Sequence, residues 1–160
     1  MNSFTLGRVP EILFGPGTLS QASSKVDALS GDKAPVMVVA DPAMKALGIL
    51  DRLIANLAEK GGRKYLLYDG FKGEPKAADI DAVAKMAGGD RASAVIGIGG
   101  GSALDTAKLA AACAVSGEPV ETYQLAAAPL PKNRLPIIAI PTTAGTGAEV
   151  TRVAVFSNAQ

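Results

Sequence analysis

Apolar residues in this chain fall into short unbroken blocks separated by stretches with helical spacing. The blocks 34–40 (APVMVVA) and 92–98 (ASAVIGI) have no polar alternation beyond a single Ser, the pattern of strands covered on both faces. Shorter blocks at 64–68 (KYLLY) and 135–140 (LPIIAI) predict two more strands, the latter after a Pro-rich loop at 129–136. Between them, Met44, Leu47, Leu50, Leu53, Ile54 and Leu57 recur at helical spacing and stop at Gly61 and Gly62. Ile80, Val83, Ala84 and Ala87 do the same within 77–87, and a third helix is predicted from Ser102 to about 115. Upstream, 4–14 reads as two short strands around a Gly-Arg break, followed by a GPG turn at 15–17 and a helix from 18 to about 29. At the other end, 150–156 (VTRVAVF) is a last strand candidate. Strands that alternate with helices imply right-handed crossovers and a parallel sheet, so the predicted fold is a Rossmann-like α/β sandwich.

Composition narrows the chemistry. With 160 residues the chain is one domain's worth, and its 48% apolar content is enough for a core. Aromatics are only 4%, so the interior must be built from Ala, Val, Ile and Leu. A net charge of +1 gives no reason to invoke nucleic acid or an anionic membrane surface. No apolar run approaches the length of a membrane span and no secretory leader is indicated. The single Cys113 cannot form an intrachain disulfide, which fits a reducing, cytoplasmic setting. Most restrictive is the absence of histidine, which excludes His bases, Ser-His triads and His-ligated metals within these residues.

Two segments carry the candidate chemistry. In 94–108 (AVIGIGGGSALDTAK) a buried strand runs into glycines and then a helix. Glycine lets the backbone approach a ligand without a Cβ, and the helix N-terminus favours a phosphate. The G-x-G-x-x-G fingerprint is met at Gly97 and Gly99 but has Ser102 at its third position. The same residues also read as a tight turn closed by a capping box of Ser102 and Asp105. The second segment, 140–151 (IPTTAGTGAEVT), sets Thr142, Thr143 and Thr146 beside Gly145 and Gly147, just past a strand. Ligands of open α/β sheets sit at the carboxyl ends of strands, so both loops could line one crevice; an ordinary polar turn is the other reading. Asp41, directly after 34–40, fits either a ribose-binding acid or an Asp-Pro turn, and GPGTLS at 15–20 reads as a turn.

Taken together, GGGSALDTAK and PTTAGTGAEVTRVAVF resemble the iron-containing (group III) alcohol dehydrogenases. FGPGTLS, ADPAMKALGILD and GFKGEPKAADI add to the likeness, the last with Glu-Pro where the family more usually has Asn-Pro. The resemblance implies a dehydroquinate synthase-like N-terminal domain that binds a nicotinamide dinucleotide. It assigns the pyrophosphate to Gly99, Gly100, Gly101 and Ser102, with Asp105 in the same motif and Lys108 structural. It assigns the adenosine ribose to Asp41, favouring NAD over NADP, and lays Thr142, Thr143 and Thr146 along the cofactor. Family members are more than twice as long. Their helical second domain, expected to be missing here, holds a divalent metal, iron or zinc, through one Asp and three His. The implied activity is hydride transfer between NAD(P)(H) and a small alcohol or aldehyde, often in a homodimer. This chain alone is expected to bind cofactor without catalysing. A stand-alone nucleotide-binding module, or a glycine turn with a purely structural role, remain alternatives. A domain lacking its partner domain would also expose an apolar face and tend to self-associate.

Overall fold

A computed structural model describes residues 10–31, 33–60, 62–70 and 73–158. A 3-10 turn (Thr18–Gln21) leads into α1 (Ala22–Ser30), then β1 (Val36–Ala40), α2 (Ala43–Ala46), α3 (Ile49–Ala55), β2 (Tyr65–Tyr68), α4 (Ala77–Gly89), β3 (Ala94–Gly99), α5 (Gly101–Ser116) and β4 (Ile137–Pro141). The four strands form one sheet in the order β2-β1-β3-β4, parallel throughout. Val38 of β1 lies opposite Leu67 of β2 on one side and Ile96 of β3 on the other.

Strand alternation splits the core into two layers. Val36, Val38, Ala40, Ala94, Ile96 and Ile98 face Val26, Met44, Leu50, Leu53 and Leu57 of the α1–α3 side. Met37, Val39 and Val95 face the other way, onto Ile80, Val83, Ala84 and Ala87 of α4 and the alanines of α5. With so few aromatics, the second layer closes by bringing backbones together. A Cβ on Gly97 would lie 2.9 Å from Ala107 Cβ and 3.3 Å from the Ala103 carbonyl, and one on Gly88 only 3.0 Å from the Ala114 carbonyl. Gly97 thus belongs to the strand and sets how closely α5 lies on the sheet.

The crossovers explain where a ligand can go. From β1 the chain winds through α2 and α3 to β2 at one edge; it then returns through α4 on the opposite face to β3, on the far side of β1. The winding direction reverses between β1 and β3, and in open α/β sheets ligands bind at the carboxyl ends of the strands at such a point.

Several expectations are corrected. The single helix expected after Asp41 is two helices, because Gly48 adopts a left-handed conformation (φ 67°) and turns Leu47 out to solvent. The strands expected at 4–14 lie partly outside the described residues, and 10–14 forms no strand pairing among the described residues, Phe14 being fully exposed. Residues 150–156 form no ladder; beyond them a lone bridge joins Lys76 and Ser157. Side chains of α5 occupy that segment's backbone groups instead, as described below. Ser102 is not the N-cap of α5. Gly100, extended at φ −77° and ψ −175°, takes that place and accepts the Leu104 N–H, leaving Ser102 inside the first turn and the expected capping box unformed.

At the opposite end of the sheet, Arg63 is fully buried and donates to the Ala34 carbonyl, Ser93 Oγ and Asp27 Oδ1. The guanidinium of Arg63, then the ammonium of Lys33, hold the Asp27 carboxyl below its ordinary range. This cluster joins α1 to the loops before β1 and β3, at the end of the strands opposite the glycine turn, and is structural.

Candidate functional site

The carboxyl ends of β1, β3 and β4 meet at the point of reversed winding. The Asp41 N–H donates to the Ile98 carbonyl (2.9 Å), and the Thr142 N–H donates to the Gly99 carbonyl (2.9 Å). Three segments distant in sequence are therefore tied at one place.

Gly99 is where they press closest. Its φ is +144°, and a Cβ there would sit 2.5 Å from Asp41 Cβ and 3.1 Å from Ala103 Cβ. Only glycine fits that backbone and that gap. At Gly100 the nearest side-chain atom to a built Cβ is Thr143 Oγ1 at 3.4 Å, and at Gly101 it is Thr146 Cγ2 at 3.3 Å. The threonine loop thus lies directly over the turn into α5. The first-turn amides of α5 have no carbonyl one turn earlier to bond, so they present donors and the positive end of the helix dipole at the same spot.

Asp41 is both a turn former and a free acceptor. Its Oδ1 takes the Ala43 N–H at 2.9 Å and its carbonyl takes the Met44 N–H, which starts α2 after Pro42. Its other carboxylate oxygen has no partner among the described residues and can accept from a ligand. Thr142 and Thr143 are exposed, and neither their hydroxyls nor that of Ser102 bond within the described residues. Thr146 Oγ1 receives the Ala148 N–H at 3.4 Å. Backbone amides, free hydroxyls and one carboxylate oxygen around a floor without side chains suit a phosphate flanked by a ribose.

The sequence pattern of the iron-containing alcohol dehydrogenases matches residues 10–160. The chain belongs to that family.

Among curated proteins it is 35% identical over 150 residues to sulfoacetaldehyde reductase of Bilophila wadsworthia, covering 94% of this chain and 38% of that one. Against alcohol dehydrogenase 4 of Saccharomyces cerevisiae it is 34% identical, covering 99% and 41%. Among solved structures, the NADH-dependent butanol dehydrogenase A of Thermotoga maritima superposes with a TM-score of 0.89 at 26% identity, over 99% of this chain and 39% of that chain. Sulfoacetaldehyde reductase from Bifidobacterium kashiwanohense, solved in complex with NAD+, superposes at 0.79 with 31% identity, over 90% and 37%. The chain spans about two-fifths of the length of the relatives it matches, and it corresponds to their N-terminal part.

Of the residues the family resemblance selects, Asp41, Gly99, Gly100, Gly101, Ser102, Thr142, Thr143 and Thr146 gather at this one crevice mouth. Asp105 lies a turn into α5 with both carboxylate oxygens engaged, Oδ1 by Lys108 Nζ (3.1 Å) and Oδ2 by the Val155 N–H (3.0 Å). Lys108 also reaches the Ala148 carbonyl, Thr151 Oγ1 and the Val153 carbonyl. No local pattern in the sequence joins Lys108 to residues 40 or more positions away; the Asp105 and Lys108 spacing of three was the only hint. Among the described residues no three His, Cys, Asp or Glu side chains converge as metal ligands. Cys113 is buried, and burial, reinforced by the Asp81 carboxylate, pushes its thiol up to about 11, so it is inert at neutral pH.

Proposed function

We propose that this chain is the NAD(H)-binding part of an alcohol dehydrogenase or aldehyde reductase, and that metal and substrate ligands come from residues outside these 160. The observation that carries it is the Gly99 turn, locked between Asp41 and Ala103 with the threonine loop across it, at the sheet's point of reversed winding. The first-turn amides of α5 and the bare backbone of Gly100 and Gly101 bind the pyrophosphate. Asp41 accepts from the adenosine ribose hydroxyls and repels a 2′-phosphate, which favours NAD over NADP. Ser102, Thr142, Thr143 and Thr146 supply hydroxyls along the dinucleotide and order it against the helix. When bound, the nicotinamide supplies the hydride-exchanging carbon that the redox chemistry requires. The relatives, an aldehyde reductase and an alcohol dehydrogenase among them, support an alcohol or aldehyde as the substrate class.

An NADH fluorescence titration of the chain tests this reading. Saturable binding that NAD+ competes more strongly than NADP+ is the expected result. No binding by a chain with an intact circular dichroism spectrum would refute it.

A further inference from the structure

We infer that Lys108 is a positioning residue for the cofactor: it latches the far end of the threonine loop and so holds that loop over the glycine turn. This rests on the cofactor-binding reading above. The loop's near end is tied by the Thr142 N–H on the Gly99 carbonyl (2.9 Å). Residues 142–146 are exposed between that tie and the next one. The next tie combines the burial of Ala148 with the bonds of one ammonium group. Lys108 Nζ has three N–H donors and four oxygens around it: Asp105 Oδ1 (3.1 Å), the Ala148 carbonyl (3.0 Å), Thr151 Oγ1 (3.3 Å) and the Val153 carbonyl. The Thr151 hydroxyl proton is directed at the Val153 carbonyl (3.3 Å), so its oxygen is free to accept from the ammonium. Asp105 completes the grip by accepting the Val155 N–H.

Lys108 and Asp105 are themselves largely buried, with side-chain exposures of 16% and 13%, so solvent competes weakly for the Lys108 bonds to Asp105 and the Ala148 carbonyl, while those to Thr151 and Val153 lie on the exposed side. It also accounts for the missing strand: the Val153 carbonyl and Val155 N–H that a ladder would use are held by α5 side chains. The consequence is geometric. The helix whose first turn offers amides to a pyrophosphate holds, one and two turns further on, the segment that carries Thr143 and Thr146 over Gly100 and Gly101. Loop and amides therefore move as one body. Every donor proton of Lys108 is committed to protein oxygens, so it acts on the cofactor through the loop and not by contact.

The test compares wild type with Lys108→Met and Lys108→Arg by NADH titration and by amide hydrogen exchange. Without the latch, a loop in its binding position about a tenth of the time raises the Kd for NADH about ten-fold. Exchange should accelerate across 143–151 while β3 stays protected, and Lys108→Arg, which keeps the charge and donors, should recover part of both effects. Wild-type exchange over 143–151 in Lys108→Met would overturn the latch. Lost NADH binding with unchanged loop exchange would also overturn it, since that marks direct contact. If the wild type itself fails to bind NADH, the functional reading falls, while the exchange comparison still decides whether Lys108 holds the loop. Should Lys108→Met not fold, Lys108→Arg and Thr151→Val carry the same two measurements.

Discussion

Replacing Gly99 with alanine probes the contact on which the crevice is built. The new Cβ would meet Asp41 Cβ at 2.5 Å, the Asp41 backbone nitrogen at 3.2 Å and Ala103 Cβ at 3.1 Å. None of these is the far end of a flexible chain, so β1, β3 and α5 must separate. The φ of +144° adds a backbone penalty of roughly 1–3 kcal/mol for a residue with a Cβ. Overpacking of this kind costs about 1–3 kcal/mol more. A total near ~3 kcal/mol corresponds to a melting temperature lowered by roughly 6–12 °C for a domain of this size. Gly100→Ala is the control. Its φ of −77° suits any residue, and its Cβ meets nothing nearer than Thr143 Oγ1 at 3.4 Å. Loss of a glycine N-cap should cost no more than about 1 kcal/mol. Urea unfolding and NADH titration of both variants separate the effects. Gly99→Ala should lose stability and binding together, whereas Gly100→Ala should keep its stability and lose binding, because the methyl group occupies the pyrophosphate's approach. A Gly99→Ala chain as stable as wild type would show that the strand ends are not wedged as described.

Asp41→Ala should weaken NAD binding about ten-fold or more, as expected for a charge-assisted hydrogen bond, and NADP binding less; equal losses would remove the ribose assignment. Thr106 is fully buried with its hydroxyl unpartnered among the described residues, so Thr106→Val should stabilise the fold by about 1 kcal/mol, read as a higher urea midpoint; a lower midpoint would contradict the unpaired hydroxyl. The Asp27 carboxyl sits below its ordinary value of 3.8 through Arg63 and Lys33, so its stabilisation is complete above that value and is lost as pH falls through the lower folded-state value. Asp27→Asn should flatten the acid limb of the stability curve, and an unchanged limb would contradict the pairing. Cys113 should resist thiol reagents at pH 8 until the chain unfolds; rapid labelling of the native state would contradict its burial. Val153, Val155 and Leu125 are exposed apolar side chains, and sedimentation should show self-association that a clean monomer would exclude.

The strands β1 and β3 and the helices α4 and α5 were legible because each is long enough to carry a clear pattern. β1 and β3 are unbroken apolar runs, and α4 and α5 carry clear helical spacing. What misled was local. At 150–156 the β-branched alternation is real, and Ala154 and Phe156 do face the core, but Lys108 and Asp105 satisfy the backbone in place of a neighbouring strand. Gly48 ends one helix and begins another, although the apolar spacing runs through it. Ser102 lost the N-cap position to Gly100 because an extended glycine already supplies the helix's first carbonyl.

By itself the sequence determined the α/β class, the parallel sheet and the pair of glycine- and threonine-rich loops. These depend on residue type and on spacing within a dozen positions, where propensity and periodicity act. It could not show that Asp41, Gly99 and Thr142 meet, or that Lys108 holds a segment 40 or more residues away. Those facts follow from strand order: placing β1 between β2 and β3 reverses the winding, and only then do three loops distant in sequence share one crevice.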